Sequence, residues 1–354
     1  MTKTSFAVLQ SYQARLVPLE QNLTAGVFPF MKIFPAEFCV RQAREKGLLQ
    51  SQTLVVETSS GTMALGLAIV CNLYRYRLAI VSDYACDGPL RRRLEDLGAR
   101  VEIVAAPMAK GGYQQARLNK LAEIRDETRD HWWLNQYDNP DNPGAYSRFA
   151  AQLVEAIGQI DCLVGTVGSG GSMCGTASFL RELFPEMKAI GVDTFGSVLF
   201  GLPDQPRKLR GLGNSIIPKN LTHSTFDEVH WVSAAEAYKA TRLLHQQTSL
   251  FCGGTSGAAW MVARYWARLN PKARVVCIFP DDGHRYVDTI YKDDYLRQEG
   301  LWMAELPDRP QIVNHPLEVG TSWSCMQWEQ RRYSAVIAPT PSIVTQARTQ
   351  AAHY

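Results

Sequence analysis

No stretch of this chain reaches the roughly 18 apolar residues that a membrane-spanning helix needs. Its N-terminus, "MTKTSFAVLQSYQARLV", also lacks an apolar core followed by a cleavage signal. A cytoplasmic protein is therefore expected, with no membrane contact. Blocks of like charge are absent as well: Lys and Arg alternate with Asp and Glu, and the formal net charge is only +3. Nucleic acid is accordingly not expected as a partner, and "PLRRRLEDLG" reads as a solvated helix face. The eight cysteines are scattered, with no CxxC and no Cys/His cluster at metal spacing. That pattern fits reduced thiols and leaves no metal site in view.

What the chain does contain is length and alternation. Its 354 residues, 46% of them hydrophobic, suffice for a substantial core in two domains or one large one. From about residue 35 helix and strand patterns alternate: "AEFCVRQAREKG", "TLVVET", "TMALGLAIVCNLY", "RLAIVSD", "GPLRRRLEDLG", "RVEIVAA". This is an open α/β pattern with parallel sheets. The loop "NQYDNPDNPGAY" interrupts it and suggests a boundary near residue 150. A second alternation follows: "SRFAAQLVEAI", "CLVGTV", a glycine turn, "KAIGVD", "AAEAYKATRLLHQQ", a turn "CGGTSG", "AAWMVARYWARL" and "RVVCIFPD". Regularity ends near Asp294, and the Trp-rich tail reads as a packed extension or a dimer contact.

The glycine turn "VGSGGSMCGT", Val167 to Thr176, sits between a strand and a helix. Such a turn offers free backbone N–H groups and a positive helix end, which suit a phosphate. Asp193, about 20 residues on, keeps a nicotinamide dinucleotide in play as its ribose acid. An extra adjacent glycine and two serines, Ser169 and Ser172, favour a phosphate monoester instead.

Four segments in order, "ETSSGTMALGLA", "NQYDNPDNP", "VGSGGSMCG" and "FPDDGHRYVDT", resemble the cysteine synthase and cystathionine β-synthase family of fold-type II enzymes, dependent on pyridoxal 5′-phosphate (PLP). "GLGNSIIPKNL" and "CGGTSGAA" match further family motifs, and the likeness runs from about Leu16 to Tyr295. The resemblance implies a tryptophan synthase β-like fold of two open, twisted parallel-sheet domains. Residues 35–150 would form the smaller one, residues 1–34 with 151–295 the larger PLP-binding one, and 296–354 a C-terminal extension. It also implies that Gly168, Ser169, Gly170, Gly171 and Ser172 hold the PLP phosphate.

The family's Schiff-base lysine falls on Lys32 when counted forward, 15 residues before Gly47 and 27 before Ser59. Counted back, 17 residues from Arg15, Lys32 matches an earlier strand lysine. The forward count passes recognisable landmarks without a gap and is preferred; an ordinary strand-end lysine is the alternative. Ser59, Ser60 and Gly61 fall on the loop that binds the substrate carboxylate, or serve as an N-cap alone. Thr62 replaces the family's asparagine beside the cofactor's phenolic oxygen. Gln136 and Tyr137 would line the substrate pocket, and Gly211 begins a mobile loop that closes near the substrate amine. Asp282 replaces a neutral serine at the pyridine nitrogen, where a carboxylate would favour the protonated ring, unless it turns to solvent.

The implied reaction is β-replacement on a small amino acid with a Cβ leaving group, an O-activated serine or cysteine, through an aminoacrylate, with a small nucleophile completing it. β-Elimination with deamination, and a catalytically silent binding relative, are the alternatives. A homodimer is implied by the family alone.

Overall fold

The computed structural model describes residues 3–109 and 111–337 of the chain, so the last part of the expected extension, 338–354, lies outside the described residues. Its strands are β1 (Arg15–Glu20), β2 (Leu23–Val27), β3 (Leu54–Thr58), β4 (Arg77–Ser82), β5 (Ala99–Ile103), β6 (His131–Trp133), β7 (Cys162–Thr166), β8 (Lys188–Thr194), β9 (Glu228–Val232), β10 (Val275–Phe279), β11 (Gln311–Ile312) and β12 (Ser324–Gln327). The helices used below are α1 (Lys3–Gln10), α2 (Ile33–Glu45), α3 (Thr62–Tyr74), α4 (Gly88–Asp96), α5 (Gly112–Glu127), α6 (Asp141–Gly144), α7 (Ser147–Ile157), α8 (Gly171–Leu183), α9 (Ala234–Thr248) and α10 (Gly254–Leu269).

The strands form two sheets. One is four-stranded in the order β5-β4-β3-β6, parallel throughout. The other is eight-stranded in the order β1-β2-β10-β7-β8-β9-β12-β11. Its centre, from β2 to β9, is parallel, while β1 and β12 join antiparallel. Both are helix-flanked, as parallel sheets require. α3 shows why: nine of its thirteen residues, Met63 to Cys71, are buried, so it packs as an all-apolar helix against the smaller sheet.

The sequence pattern locates α3, α7 and α9 closely. Two elements depart from it. "CGGTSG" is not a separate turn: α10 already begins at Gly254, because Gly257 lies so close to Thr241 and the Ala237 carbonyl of α9 that only a glycine lets the two helices meet. The tail, in turn, adds β12 to the larger sheet beside β9 and buries Trp323, Met326 and Trp328. Among the described residues no helix is long and apolar enough to cross a membrane, and all eight cysteines are free and buried.

Parallel strands end on one side, and crevices there collect the connecting loops. β2, β10, β7 and β8 therefore deliver residues 28–32, 280–283, 167–171 and 195–215 to one edge of the larger sheet. β3 and β6 deliver 59–61 and 134–137 from the smaller one.

Candidate active site

Lys32 directly precedes α2, just beyond the end of β2. Its approach is fixed by pairing with the end of β10: Phe28 N–H donates to Phe279 O at 2.9 Å and Met31 N–H to Pro280 O at 2.7 Å. α3 packs against its backbone so tightly that a Cβ on Gly66 would come within 2.9 Å of Lys32 O. The Lys32 Nζ reaches across to the glycine turn and donates to Ser169 Oγ at 3.4 Å. Burial lowers the amine from 10.5 to about 8, against the pull of the Glu57 carboxylate, which acts to raise it.

The turn itself is a cradle with no room for side chains. Gly170 caps α8 at φ +83°, and a Cβ there would meet the backbone of Asn220 and Leu221 at 2.6–2.8 Å. A Cβ on Gly171 would overlap the Asn142 side chain, and one on Gly168 would lie 3.3 Å from Gly211 O. With Ser169 buried and Ser172 half-buried in the first turn of α8, the cradle presents N–H and O–H donors at a positive helix end. An anion of phosphate size fits that donor set, and a depressed, buried amine beside it fits an aldehyde partner. The residues present therefore suit PLP.

Across from the turn stands the smaller sheet's contribution. Ser59 is buried, and its Oγ accepts from Gly61 N–H and Ala64 N–H, each at 3.2 Å, so it organises the N-terminus of α3. Ser60, Gly61 and Thr62 remain half-buried at that end. Gln136 is buried and donates its amide to Thr58 O at 3.0 Å, while its own carbonyl accepts from Asn142 and Asn220. Tyr137 follows it, and burial pushes its phenol up against the opposing influence of Arg117. Gly211, at φ +90°, lies over Thr255 and beside Gly168. Its loop is tied to the turn, since Gly213 N–H donates to Val167 O at 2.8 Å and Asn214 Nδ2 to Gly168 O at 3.4 Å. Contacts thus join these segments: Lys32 touches the turn at Ser169, Gly168 lies against Gly211, and Gln136 reaches Thr58 and, through Asn142, Gly171.

Asp282 does not join them. Its side chain is 44% exposed and pairs with His284 at 3.2 Å. The buried acid is its neighbour Asp281, held by Tyr286 Oη at 2.6 Å and Thr255 Oγ1 at 3.5 Å. Burial raises Asp281 to about 6 even though Tyr286 and Arg285 oppose the shift. Both acids sit in backbone bridges, Asp281 with Phe30 and Asp282 with Cys252, and successive side chains in extended chain point to opposite sides.

Sequence reading also passed over Glu57, Asn142, Asn214 and Asn220, which hold the crevice together. A visible signal existed for Glu57, a lone acid in the apolar strand "LVVET". One group, Glu228, His230 and Cys325, could by distance share a metal ion among the described residues. Trp323 Nε1 donates to His230 Nδ1 at 3.0 Å, which leaves the ring proton on Nε2, facing Glu228. The accepted Trp323 hydrogen bond ties that histidine to the packed tail.

Comparison with known proteins agrees with this geometry. A family described as pyridoxal-phosphate dependent enzyme matches residues 31–281. The N-(2-amino-2-carboxyethyl)-L-glutamate synthase of Cupriavidus metallidurans is 35% identical over 286 residues, 79% of this chain and 82% of the relative. The protein of the same name from Ralstonia nicotianae is 32% identical over 265 residues, 74% and 78% of the two chains. Among solved structures, the O-acetylserine dependent cystathionine β-synthase of Helicobacter pylori superposes with a TM-score of 0.73 at 26% identity, over 80% of this chain and 98% of that one.

Proposed function

The chain belongs to the pyridoxal-phosphate dependent enzyme family, and on that premise we propose that it joins an aminocarboxyethyl group to an amino acid amine, glutamate foremost. The reaction class is PLP-dependent β-replacement, cysteine synthase-like, on a small amino acid carrying a Cβ leaving group. In the proposed form the Cβ–O bond of an O-activated serine breaks and the leaving group departs with its oxygen. A Cβ–N bond to glutamate forms, and the amine gives up one proton.

The observation that carries this reading is the contact of Lys32 Nζ with Ser169 Oγ, in surroundings that bring the amine to about 8. When bound, PLP supplies the electron sink that lets the substrate Cα lose a proton and Cβ its leaving group. Lys32 is the residue that would attach it. Lys32 Nζ would also be the group placed to take the Cα proton, and burial favours its neutral form. Gly168 to Ser172 would hold the phosphate, and Thr62 would be the residue nearest the ring's phenolic oxygen. Ser59, Ser60 and Gly61 take the substrate carboxylate, while Gln136 and Tyr137 wall the pocket and Gly211 covers it. The residues around the smaller sheet, 35–150, act as one lobe, and 1–34 with 151–295 as the other.

An acidic second substrate is supported by Arg285, whose guanidinium lies 3.7 Å from the Cβ position of Gly61 and would have to exchange its present partner Asp87, 3.3 Å away, for the substrate. A cytoplasmic homodimer belongs to the same proposal; the apolar groove lined by Phe6, Leu9, Phe34 and Phe38 is surface that a second copy would cover.

The test offers the PLP-loaded enzyme O-acetylserine or O-phosphoserine with glutamate, homocysteine or sulfide, and identifies products by mass. A glutamate adduct supports the proposal. Pyruvate and ammonia without any adduct would assign elimination instead.

A further inference from the structure

Glu57 lies near the end of β3 with its side chain fully buried, and among the described residues it makes no direct ion pair: Arg117 pairs with Asp83 at 3.2 Å, and Lys32 acts on it only through space. Its oxygens instead collect three N–H groups. Oε1 accepts from Thr58 N–H at 2.7 Å and Trp133 Nε1 at 3.2 Å, and Oε2 from Gln136 N–H at 3.0 Å. These donors belong to the two chain segments that carry the substrate loops. The β3–β6 ladder ends at the pair Val56 and Trp133. Beyond it the strands diverge, and one carboxylate spans the gap, helped by the Gln136 amide on Thr58 O.

We propose that Glu57 is a positioning residue that keeps the Ser59–Gly61 loop and the Gln136–Tyr137 pair in register, and that it does so only as a carboxylate, so that affinity for the amino acid substrate is proton-sensitive. This rests on the reading that those two segments form the substrate site. An ionised carboxylate only accepts, and three donors match it. A protonated Glu57 has lost its charge and turned one oxygen into an O–H, so it holds these N–H groups more weakly.

Burial raises Glu57 to about 7, even though the Thr58, Trp133 and Gln136 N–H groups and Arg117 all favour the charged form. The charged and titratable groups around it are Lys32 and Cys39 from α2 and its start, Arg117 from α5 and Tyr137 from the loop. Lowering the pH through about 7 therefore loosens the joint.

Glu57→Gln keeps the size of the side chain but sets an NH2 against an N–H. In the PLP-loaded enzyme the expected result is a KM for the activated serine raised about tenfold or more, with kcat within about threefold. The parent's KM climbs as pH falls through the neutral range, and the variant's stays flat. A second readout needs no activity: the Trp133 indole N–H resonance, assigned with Trp133→Phe, titrates near neutrality in the parent and not in Glu57→Gln. Should the variant fail to fold, that resonance in the parent alone decides. A flat Trp133 signal from pH 5.5 to 8.5, or a Glu57→Gln enzyme with parental KM and its pH limb intact, overturns the proposal. Ser60→Ala separates the two levels: if it leaves KM unchanged, the substrate-site reading falls and takes this one with it; if it raises KM while Glu57→Gln does not, only Glu57's role is lost.

Discussion

Replacing Gly170 by alanine tests the phosphate cradle at its least forgiving point. At φ +83° a Cβ is strained by about 1 kcal/mol before any contact is counted. The added carbon would lie 2.6 Å from Asn220 O, 2.7 Å from Leu221 Cα and 2.8 Å from Leu221 N. All three are backbone atoms that no rotamer change can move, so about 1–3 kcal/mol of overpacking adds to the strain. Gly47 supplies the control. It is also left-handed, at φ +72°, but nothing lies within 4 Å of its Cβ position, so Gly47→Ala carries strain alone. Urea unfolding of both apo-proteins and PLP titration by visible absorbance make the comparison. Gly170→Ala is expected to lose about 2–4 kcal/mol and to weaken PLP binding about tenfold or more; Gly47→Ala loses about 1 kcal/mol and binds PLP as the parent does. Equal losses in the two variants with parental PLP affinity in both would refute the cradle.

Borohydride should fix PLP onto the Lys32 peptide of the parent and leave Lys32→Ala unlabelled; stable labelling of another lysine would reject the assignment. Because folding lowers Lys32 from 10.5 to about 8, the unfolded chain binds more protons between those values, and apo-protein stability rises with pH across that window. Lys32→Met removes the burial cost, so the apo variant should exceed the parent by up to about 3 kcal/mol near pH 7 and converge with it above pH 10.5; parental stability at pH 7 would mean that the amine is not buried. Asp227 joins Arg181 at 2.6 Å, Lys188 at 3.2 Å, the Ala189 N–H at 2.8 Å and, from the tail, Gln330 at 3.0 Å. Asp227→Asn should cost about 3–5 kcal/mol and speed proteolytic release of the residues beyond Leu301; an unaltered digestion pattern would count against that anchoring.

The local elements were legible because their signals are local. A glycine turn announces itself between a strand and a helix, and α3 by its buried run from Met63 to Cys71. Lys32 was placed by its count from such landmarks, and in space it stands against the turn. At the end of β10 the alternative stated for Asp282 holds, since its side chain turns to His284 while its neighbour Asp281 is buried; the two are equivalent in composition, and the sequence does not tell which faces inward.

The residues that assemble the crevice were silent for the same reason. Glu57 acquires its role from donors at 58, 133 and 136, and Asn142 from glycine 171, partners set by strand pairing and helix packing. β12 likewise depends on β9, more than ninety positions earlier in the chain, for its place in the larger sheet. The sequence by itself determined most of the helices and strands, the glycine turn and the order of the motifs, since each depends on residues a few positions apart. The tertiary structure decided which carboxylates are buried and what joins the two substrate loops, because burial and hydrogen-bond partnership are properties of distant segments brought together.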